Sequence, residues 1–138
     1  MDGQQLEIQV KAKPLTDKGI WGMRLFASPD GEEETRLLID YEKEQVILDR
    51  SQSSLDTSLA QHPLVMPLPE SKDGSTLEVQ IFLDASTIIE VIVQHEHSLS
   101  ARVYPTRTDS TQTQLFTEKG QVDIEQYQVY QLQSIWTD

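Results

Sequence analysis

The sequence predicts an all-β fold in which two antiparallel sheets form a β-sandwich of the jelly-roll or concanavalin-like type. Apolar and polar residues alternate in short segments, which is typical of strands with one buried face. Gly, Pro, Asp and Ser residues that favour turns separate these segments. No segment has the sustained i, i+3, i+4, i+7 apolar spacing of an amphipathic helix, apart from a weak helical turn predicted near 122–126. A closed barrel is the structural alternative.

The first fifty residues contain alternating segments that predict a meander of four strands. The turn sequence Ser28-Pro29-Asp30-Gly31 predicts a hairpin between the second and third of them. The predicted strands carry, in order, Leu6, Ile8, Val10 and Ala12, then residues 21–27, 35–41 and 45–49.

The second half of the chain begins with a predicted long surface loop over 50–76, which is too polar and too rich in proline for a central strand. Alternation then resumes from Leu77 to Leu83. The β-branched run 87–93 is apolar on both sides, so we expect it to be central in its sheet. Further strands are predicted over 99–103, 114–117 and 127–136.

The composition excludes several classes of function. The chain has 138 residues, with 23 acidic against 11 basic side chains and a net charge of −12, which repels nucleic acids and anionic membranes. It has no cysteine, so disulfides, thiolate zinc sites, iron–sulfur clusters and cysteine nucleophiles are excluded. We see no leader peptide after Met1 and no apolar run of membrane-spanning length, and the compartment stays open.

Short motifs occur in an order that resembles the C-terminal β-sandwich domain of glycoside hydrolase family 32, which includes invertases, levanases, fructanases and sucrose-6-phosphate hydrolases. The resemblance spans nearly the whole chain, because the order and spacing of the motifs match as well as their residues. The motifs are the hairpin segment 22–31, Asp49-Arg50-Ser51, Asp84-Ala85-Ser86, Glu90-Val91, Tyr104-Pro105 and the terminal Ser134-Ile135-Trp136.

The sequence departs from the family pattern in two places. The spacing from Asp84 to Glu90 is one residue longer than in the family, and Ile92 stands where the family has Phe. The extra residue predicts a bulge near 85–87. Because a slip of one residue exchanges the two faces of a strand, the facing of Ile88 and Ile89 stays open.

The resemblance implies that this chain carries no catalytic residue, since the family's reacting carboxylates lie on a preceding β-propeller domain in motifs that are absent here. An acid and base pair made of Asp84 and Glu90 is the alternative. We favour structural roles for both: Asp84 and Ser86 bonding to backbone at a turn, and Glu90 forming a buried ion pair. The partners expected for Glu90 are Arg102, Arg107 or Arg50, and we expect the same kind of structural role for Asp49 with Arg50 at a turn.

The sequence contains no complete motif for a metal site or for a catalytic nucleophile. His95 and His97 form a His-x-His pair whose rings point to one side of a strand, but no third ligand is evident and the segment resembles a hairpin tip. Ser86 lacks the glycines of a nucleophile elbow, and no phosphate-binding loop occurs. We therefore expect no metal and no cofactor.

Two functions remain from different classes. The first treats residues 1–138 as a single domain, an excised C-terminal accessory module that docks on its propeller through an apolar patch, with a homodimer as a further use of that patch. The second is a free-standing fructan-binding module. Its stacking residues would be drawn from Trp21, Tyr41, Tyr127, Tyr130 and Trp136, although we expect most of them to be core. The resemblance implies a cytoplasmic parent of the sucrose-6-phosphate hydrolase type or a secreted parent of the levanase type.

Overall fold

The computed structural model describes residues 5–16, 18–56, 58, 62–69, 76–84 and 86–132. Within this part of the chain the regular structure consists of ten β-strands, and no helix is long and apolar enough to cross a membrane. The strands are β1 (Gln5–Pro14), β2 (Ile20–Ala27), β3 (Thr35–Asp40), β4 (Gln45–Asp49), β5 (Leu64–Pro67), β6 (Leu77–Leu83), β7 (Ile88–Val93), β8 (His97–Arg102), β9 (Gln112–Lys119) and β10 (Val122–Leu132).

The strands form two sheets of five strands each, in the orders β10-β1-β6-β7-β8 and β5-β4-β3-β2-β9. We call them the first and the second sheet. They coincide closely with two compact units of the chain, Met1–Lys13 with Pro69–Arg102 and Asp123–Asp138, and Pro14–Leu68 with Val103–Val122. Antiparallel pairing throughout the registered strands confirms the predicted class, an antiparallel β-sandwich.

The first sheet buries one face of β1, β6 and β7. β6 is its middle strand and pairs with β1 on one side and β7 on the other. The buried side chains occupy alternate positions because successive residues of a strand point to opposite faces. Those that are 0% exposed are Ile8, Val10, Ala12, Val79, Ile81, Ile89, Val91 and Val93.

The second sheet contains the hairpin that the turn at 28–31 predicts, and β2, β3, β4 and β5 follow one another in it as a meander. β9 pairs with the other side of β2. Each buried Leu, Ile, Val or Met contributes about 1.5–3 kcal/mol relative to an exposed one. The side chains that are 0% exposed include Trp21, Met23, Leu25, Leu37, Ile39, Val46 and Leu48.

Three expectations about the strands are wrong. β1 does not belong to the meander, because it leaves β2 and pairs with β6. The loop predicted over 50–76 contains β5, whose position at the sheet edge tolerates Pro67. Residues 122–126 form the start of β10 and not a helical turn. The end of the strand predicted over 127–136, including the Ser134-Ile135-Trp136 motif, lies outside the described residues.

The apolar run in β7 lies inside its sheet, as predicted, between β6 and the edge strand β8. Only one face of β7 is buried. Ile89, Val91 and Val93 are 0% exposed, whereas Ile88 is 38% exposed. A run that is apolar on both sides therefore does not imply burial on both sides here.

Gly22 in β2 stands where the backbone of β3 leaves no space for a side chain. A Cβ at this position would lie 1.8 Å from the carbonyl oxygen of Leu37 and 2.9 Å from its carbonyl carbon. Because these are backbone atoms of the paired strand, no side-chain rotation relieves the contact.

We predict that Gly22→Ala lowers the free energy of unfolding by on the order of 3 kcal/mol, because the two strands must separate locally. Gly19→Ala is the matched control, since its Cβ would meet nothing closer than 3.5 Å. We expect that variant to change stability by less than about 1 kcal/mol. Denaturant unfolding of both variants checks this, and equal losses would refute the steric explanation.

Candidate functional site

Glu33 is a buried carboxylate that receives five hydrogen bonds from two other connections, one within the second sheet and one that leads into it. It lies between β2 and β3 and is 0% exposed. Its Oε2 accepts from the Leu55 amide and from the Thr106 amide and hydroxyl, all at 2.8 Å. Its Oε1 accepts from the Arg107 amide at 3.0 Å and the Ser110 hydroxyl at 2.7 Å. The carboxylate therefore joins the β2–β3, β4–β5 and β8–β9 connections.

These hydrogen bonds keep Glu33 ionised. Burial alone raises the pKa of this carboxyl, but donation from Thr106, Ser110, Arg107 and Leu55 outweighs burial and lowers the pKa to about 2. A buried charge is costly unless it is fully hydrogen-bonded, and all five donors here favour the charged form.

The Arg107 side chain forms a second, more exposed cluster beside its own amide. Its guanidinium contacts both oxygens of Asp30 at 2.7 and 2.8 Å and both oxygens of Asp109 at 2.8 and 2.7 Å. Glu32 completes the cluster at 3.2 Å. The hydrogen bond from Arg107 holds the pKa of Asp30 and of Asp109 below the usual range. The cluster ties the β2–β3 connection to the β8–β9 connection.

The Tyr104-Pro105 motif leads directly into the donors of Glu33. Tyr104 itself is 55% exposed, and the next residue, Thr106, gives two of the hydrogen bonds to the carboxylate. Sequence reasoning missed Glu33, because it stands in a run of three glutamates between Glu32 and Glu34 and carries no local sign of burial.

The Asp49-Arg50-Ser51 motif forms the turn that ends β4. Asp49 accepts a hydrogen bond from the Ser51 amide at 2.9 Å, and Arg50 donates through Nε to the His62 carbonyl at 2.9 Å. The Ser53 amide and hydroxyl return to the Arg50 carbonyl at 3.1 and 2.8 Å. The motif thus bends the chain towards Leu55, whose amide binds Glu33.

The Asp84-to-Ser86 motif closes the β6–β7 hairpin. Oδ1 of Asp84 accepts from the Ser86 amide and hydroxyl, both at 2.9 Å, and from the Ile88 amide at 3.3 Å. Thr87 adopts a left-handed φ of 64°, and the register from Leu83 opposite Ile89 onwards is unbroken. The register places Ile89 on the buried face, while Ala85 itself lies outside the described residues.

Glu90 is exposed, so the prediction of a buried ion pair is wrong. In the registered strands it stands between Phe82 of β6 and Ser100 of β8. The three arginines considered as partners are engaged elsewhere. Arg102 donates to the Ser86 carbonyl at 3.2 Å, Arg50 to His62, and Arg107 to its aspartates. The apolar neighbours of Glu90 along the strand point to the opposite face, which explains the error.

The aromatic residues divide between the core and the surface. Trp21 is 0% exposed and donates from Nε1 to the Tyr41 hydroxyl at 3.0 Å, and burial raises the pKa of that hydroxyl. Tyr127 and Tyr130 on the edge strand β10 are each 42% exposed. Trp136 lies outside the described residues. Trp21 is therefore not available to a sugar.

His95 lies in the turn between β7 and β8, and His97 follows it, so the segment forms the predicted hairpin tip. His95 has a left-handed φ of 59° and contacts Glu78 at 2.9 Å, while His97 begins β8 opposite Val93. Among the residues that the structure describes, no group of three or more His, Cys, Asp or Glu side chains is placed to hold a metal ion.

An apolar row crosses the less buried face of the second sheet. Cross-strand pairing places Gly22 beside Phe116 and Leu38, Leu38 beside Ile47, and Ile47 beside Val65. These residues, Phe116, Gly22, Leu38, Ile47 and Val65, form what we call the apolar band. Val65 is 49% exposed at the β5 end.

Charged side chains border the apolar band on β2 and β3. Arg24 contacts Glu34 at 2.6 Å and Gln114 at 2.8 Å. Arg36 contacts Glu118 at 3.1 Å, and its guanidinium carbon lies 4.8 Å from the centre of the Phe116 ring. An apolar strip with a polar rim is the usual composition of a protein–protein interface.

The chain is a β-sandwich domain in which the motif residues at Asp49 and Asp84 form hydrogen bonds within turns. A protein-family model described as "Glycosyl hydrolases family 32 C terminal" matches residues 1–131. The chain is 27% identical over 140 residues to the extracellular exo-inulinase of Aspergillus niger, covering 97% of this chain and 25% of that protein. The chain therefore belongs to the C-terminal domain family of family 32 glycosyl hydrolases.

Solved structures agree. The exo-inulinase of Aspergillus awamori matches with a TM-score of 0.81 and 25% identity over 98% of this chain and 26% of that one. Fructan 1-exohydrolase IIa of Cichorium intybus has a TM-score of 0.76 over 94% of this chain and 31% of that one, and at 13% identity it shows the fold alone. The chain spans 20% to 25% of the length of the curated relatives it matches, and these 138 residues do not include the catalytic propeller domain.

We predict that stability falls as the pH drops from about 4.5 towards about 2, because the unfolded Glu33 carboxyl, with a pKa near 4.5, binds a proton before the folded one does. Glu33→Gln turns an amide NH₂ towards the donors and removes this contribution. It should lower the free energy of unfolding at neutral pH by on the order of 3 kcal/mol and flatten the acid limb of the stability curve.

Glu32→Gln is the control. It removes the same charge at the neighbouring position, where the side chain is exposed. Asp30 and Asp109 keep their own acid dependence in both variants. Denaturant unfolding between pH 2 and pH 7 provides the measurement. Parallel curves for the wild type and Glu33→Gln would show that Glu33 is not the group responsible.

Proposed function

We propose that this chain is the non-catalytic accessory module of a glycoside hydrolase that acts on sucrose or fructans, and that it docks on and stabilises a β-propeller catalytic domain of the same parent chain. The observation that carries the proposal is the match of 97% of this chain to 25% of a longer exo-inulinase. In this proposal residues 1–138 form one domain, and the partner domain corresponds to the part of the relatives that this chain does not cover.

The apolar band is the docking surface that we assign to this partner. It runs across all five strands of the second sheet, so it presents an extended strip and not an isolated side chain. Val65 at its end is too exposed to belong to the core, and apolar side chains in a contiguous row favour contact with another protein surface.

The role is mechanical, and it fits the hydrogen bonding of the motif residues. Asp49, Ser51, Asp84 and Ser86 make contacts with their own turns at 2.9 Å, which stabilise the module without chemistry. The coding sequence upstream of Met1 tests the parentage directly. An in-frame propeller with an Asn-Asp-Pro motif is expected, and an unrelated domain or a stop codon there would overturn the proposal.

We predict that Val65→Asp in the full-length parent enzyme lowers the thermal midpoint of the catalytic domain and makes the domain junction more sensitive to protease, because a charge would be buried at the interface. Val129→Asp is the matched control. It introduces the same change on another edge strand, β10, at a valine that is 45% exposed compared with 49% for Val65.

Calorimetry and limited proteolysis of both full-length variants give the readout, and the 138-residue chain with each substitution confirms that the module itself still folds. Equal effects of the two substitutions, or no effect of Val65→Asp, would exclude the apolar band as the docking surface.

A further inference from the structure

A cleft of about 350 Å³ lies on the first sheet, near the ends of β1, β6 and β7 and beside β8. Its volume is in the lower part of the range of roughly 300–1,000 Å³ that small-molecule sites occupy. None of the roles described above uses this cleft. The lining residues that matter to its chemistry are Gln5, Phe82, Asp84, Ile88, Glu90 and Ser100.

The strand register explains why an aromatic ring and polar groups meet here. Phe82 pairs with Glu90, and Glu90 pairs with Ser100, so the three side chains stand in one row across β6, β7 and β8. Neighbouring strands are about 4.8 Å apart. A ring, a carboxylate and a hydroxyl are therefore spaced over a length comparable with one or two sugar rings.

The carboxylates of the cleft retain capacity to accept hydrogen bonds. Glu90 is exposed, and no described residue forms a hydrogen bond or ion pair with its side chain. Asp84 uses Oδ1 for the β6–β7 turn, and no described residue uses its other oxygen. The turn also holds Asp84 in place, so its remaining oxygen is presented without a further loss of side-chain freedom.

We propose that this cleft binds a neutral oligosaccharide of the fructan type. The Phe82 ring, with Ile88 beside it, would cover an apolar C–H face of a sugar, while Glu90 and Asp84 accept hydrogen bonds from its hydroxyls. Two carboxylates and a net charge of −12 disfavour phosphorylated or other anionic sugars. The choice of fructan rests on the proposed function, whereas the preference for a neutral polyol rests on the cleft alone.

Titration calorimetry of the 138-residue chain with 1-kestose and with inulin-type oligosaccharides tests this, at sugar concentrations on the order of 10 mM to detect weak binding. We expect saturable heat with these sugars and none with an anionic sugar phosphate. Phe82→Ala and Glu90→Gln should each weaken binding by about tenfold. Glu90→Gln changes an exposed side chain, so it separates loss of binding from loss of folding.

Two controls match these substitutions. Ile92→Ala removes an apolar side chain from the same face of β7 outside the cleft, and Glu44→Gln removes a charge from the exposed β3–β4 turn of the second sheet. Both should bind as the wild type does. No saturable heat with the wild type, or binding unchanged in both Phe82→Ala and Glu90→Gln, would overturn the proposal. Docking through the apolar band is tested in the parent enzyme without sugar, so either idea can fail alone.

Discussion

One ionised carboxylate, Glu33, joins the β2–β3, β4–β5 and β8–β9 connections, and within the described part of the chain no cation contacts its oxygens. Glu33 takes its hydrogen bonds from three amides and two hydroxyls, and Arg107 contributes its amide while its guanidinium binds Asp30 and Asp109. An amide of the backbone cannot move without moving the chain. The contacts therefore set the path of the β4–β5 and β8–β9 connections. The turn at Asp49 leads towards Leu55, and the Tyr104-Pro105 segment leads directly into Thr106.

The cross-strand register decides what each sheet offers on its less buried face. In the second sheet the register aligns Phe116, Leu38, Ile47 and Val65 with the bare backbone of Gly22, which gives an apolar band. In the first sheet it aligns Phe82 with Glu90 and Ser100, which gives a mixed row suited to hydroxyl groups. The two sheets thus have faces of different chemistry, and this difference separates the docking proposal from the sugar-binding proposal.

The polar motif residues of this chain have structural contacts. Short polar side chains at the ends of strands are common in active sites, yet Asp84, Ser86 and Asp49 bond to their own turns. The same fold can host or lack a reaction, because a reaction requires groups aimed at a shared substrate atom and not only a scaffold. In this chain these polar groups stabilise turns.

The amino-acid pattern was enough to predict the fold class, the hairpin at 28–31, the buried alternation in β1, β6 and β7, and the family, because these depend on local periodicity and on motif order. It did not determine which strands pair, as the displaced β1 shows, since pairing joins residues that are far apart in the chain. The burial of Glu33 and the exposure of Glu90 became evident from the folded chain and not from the residues around them. Burial of a charge is settled by donors from distant loops, and those donors leave no pattern beside the residue they bind.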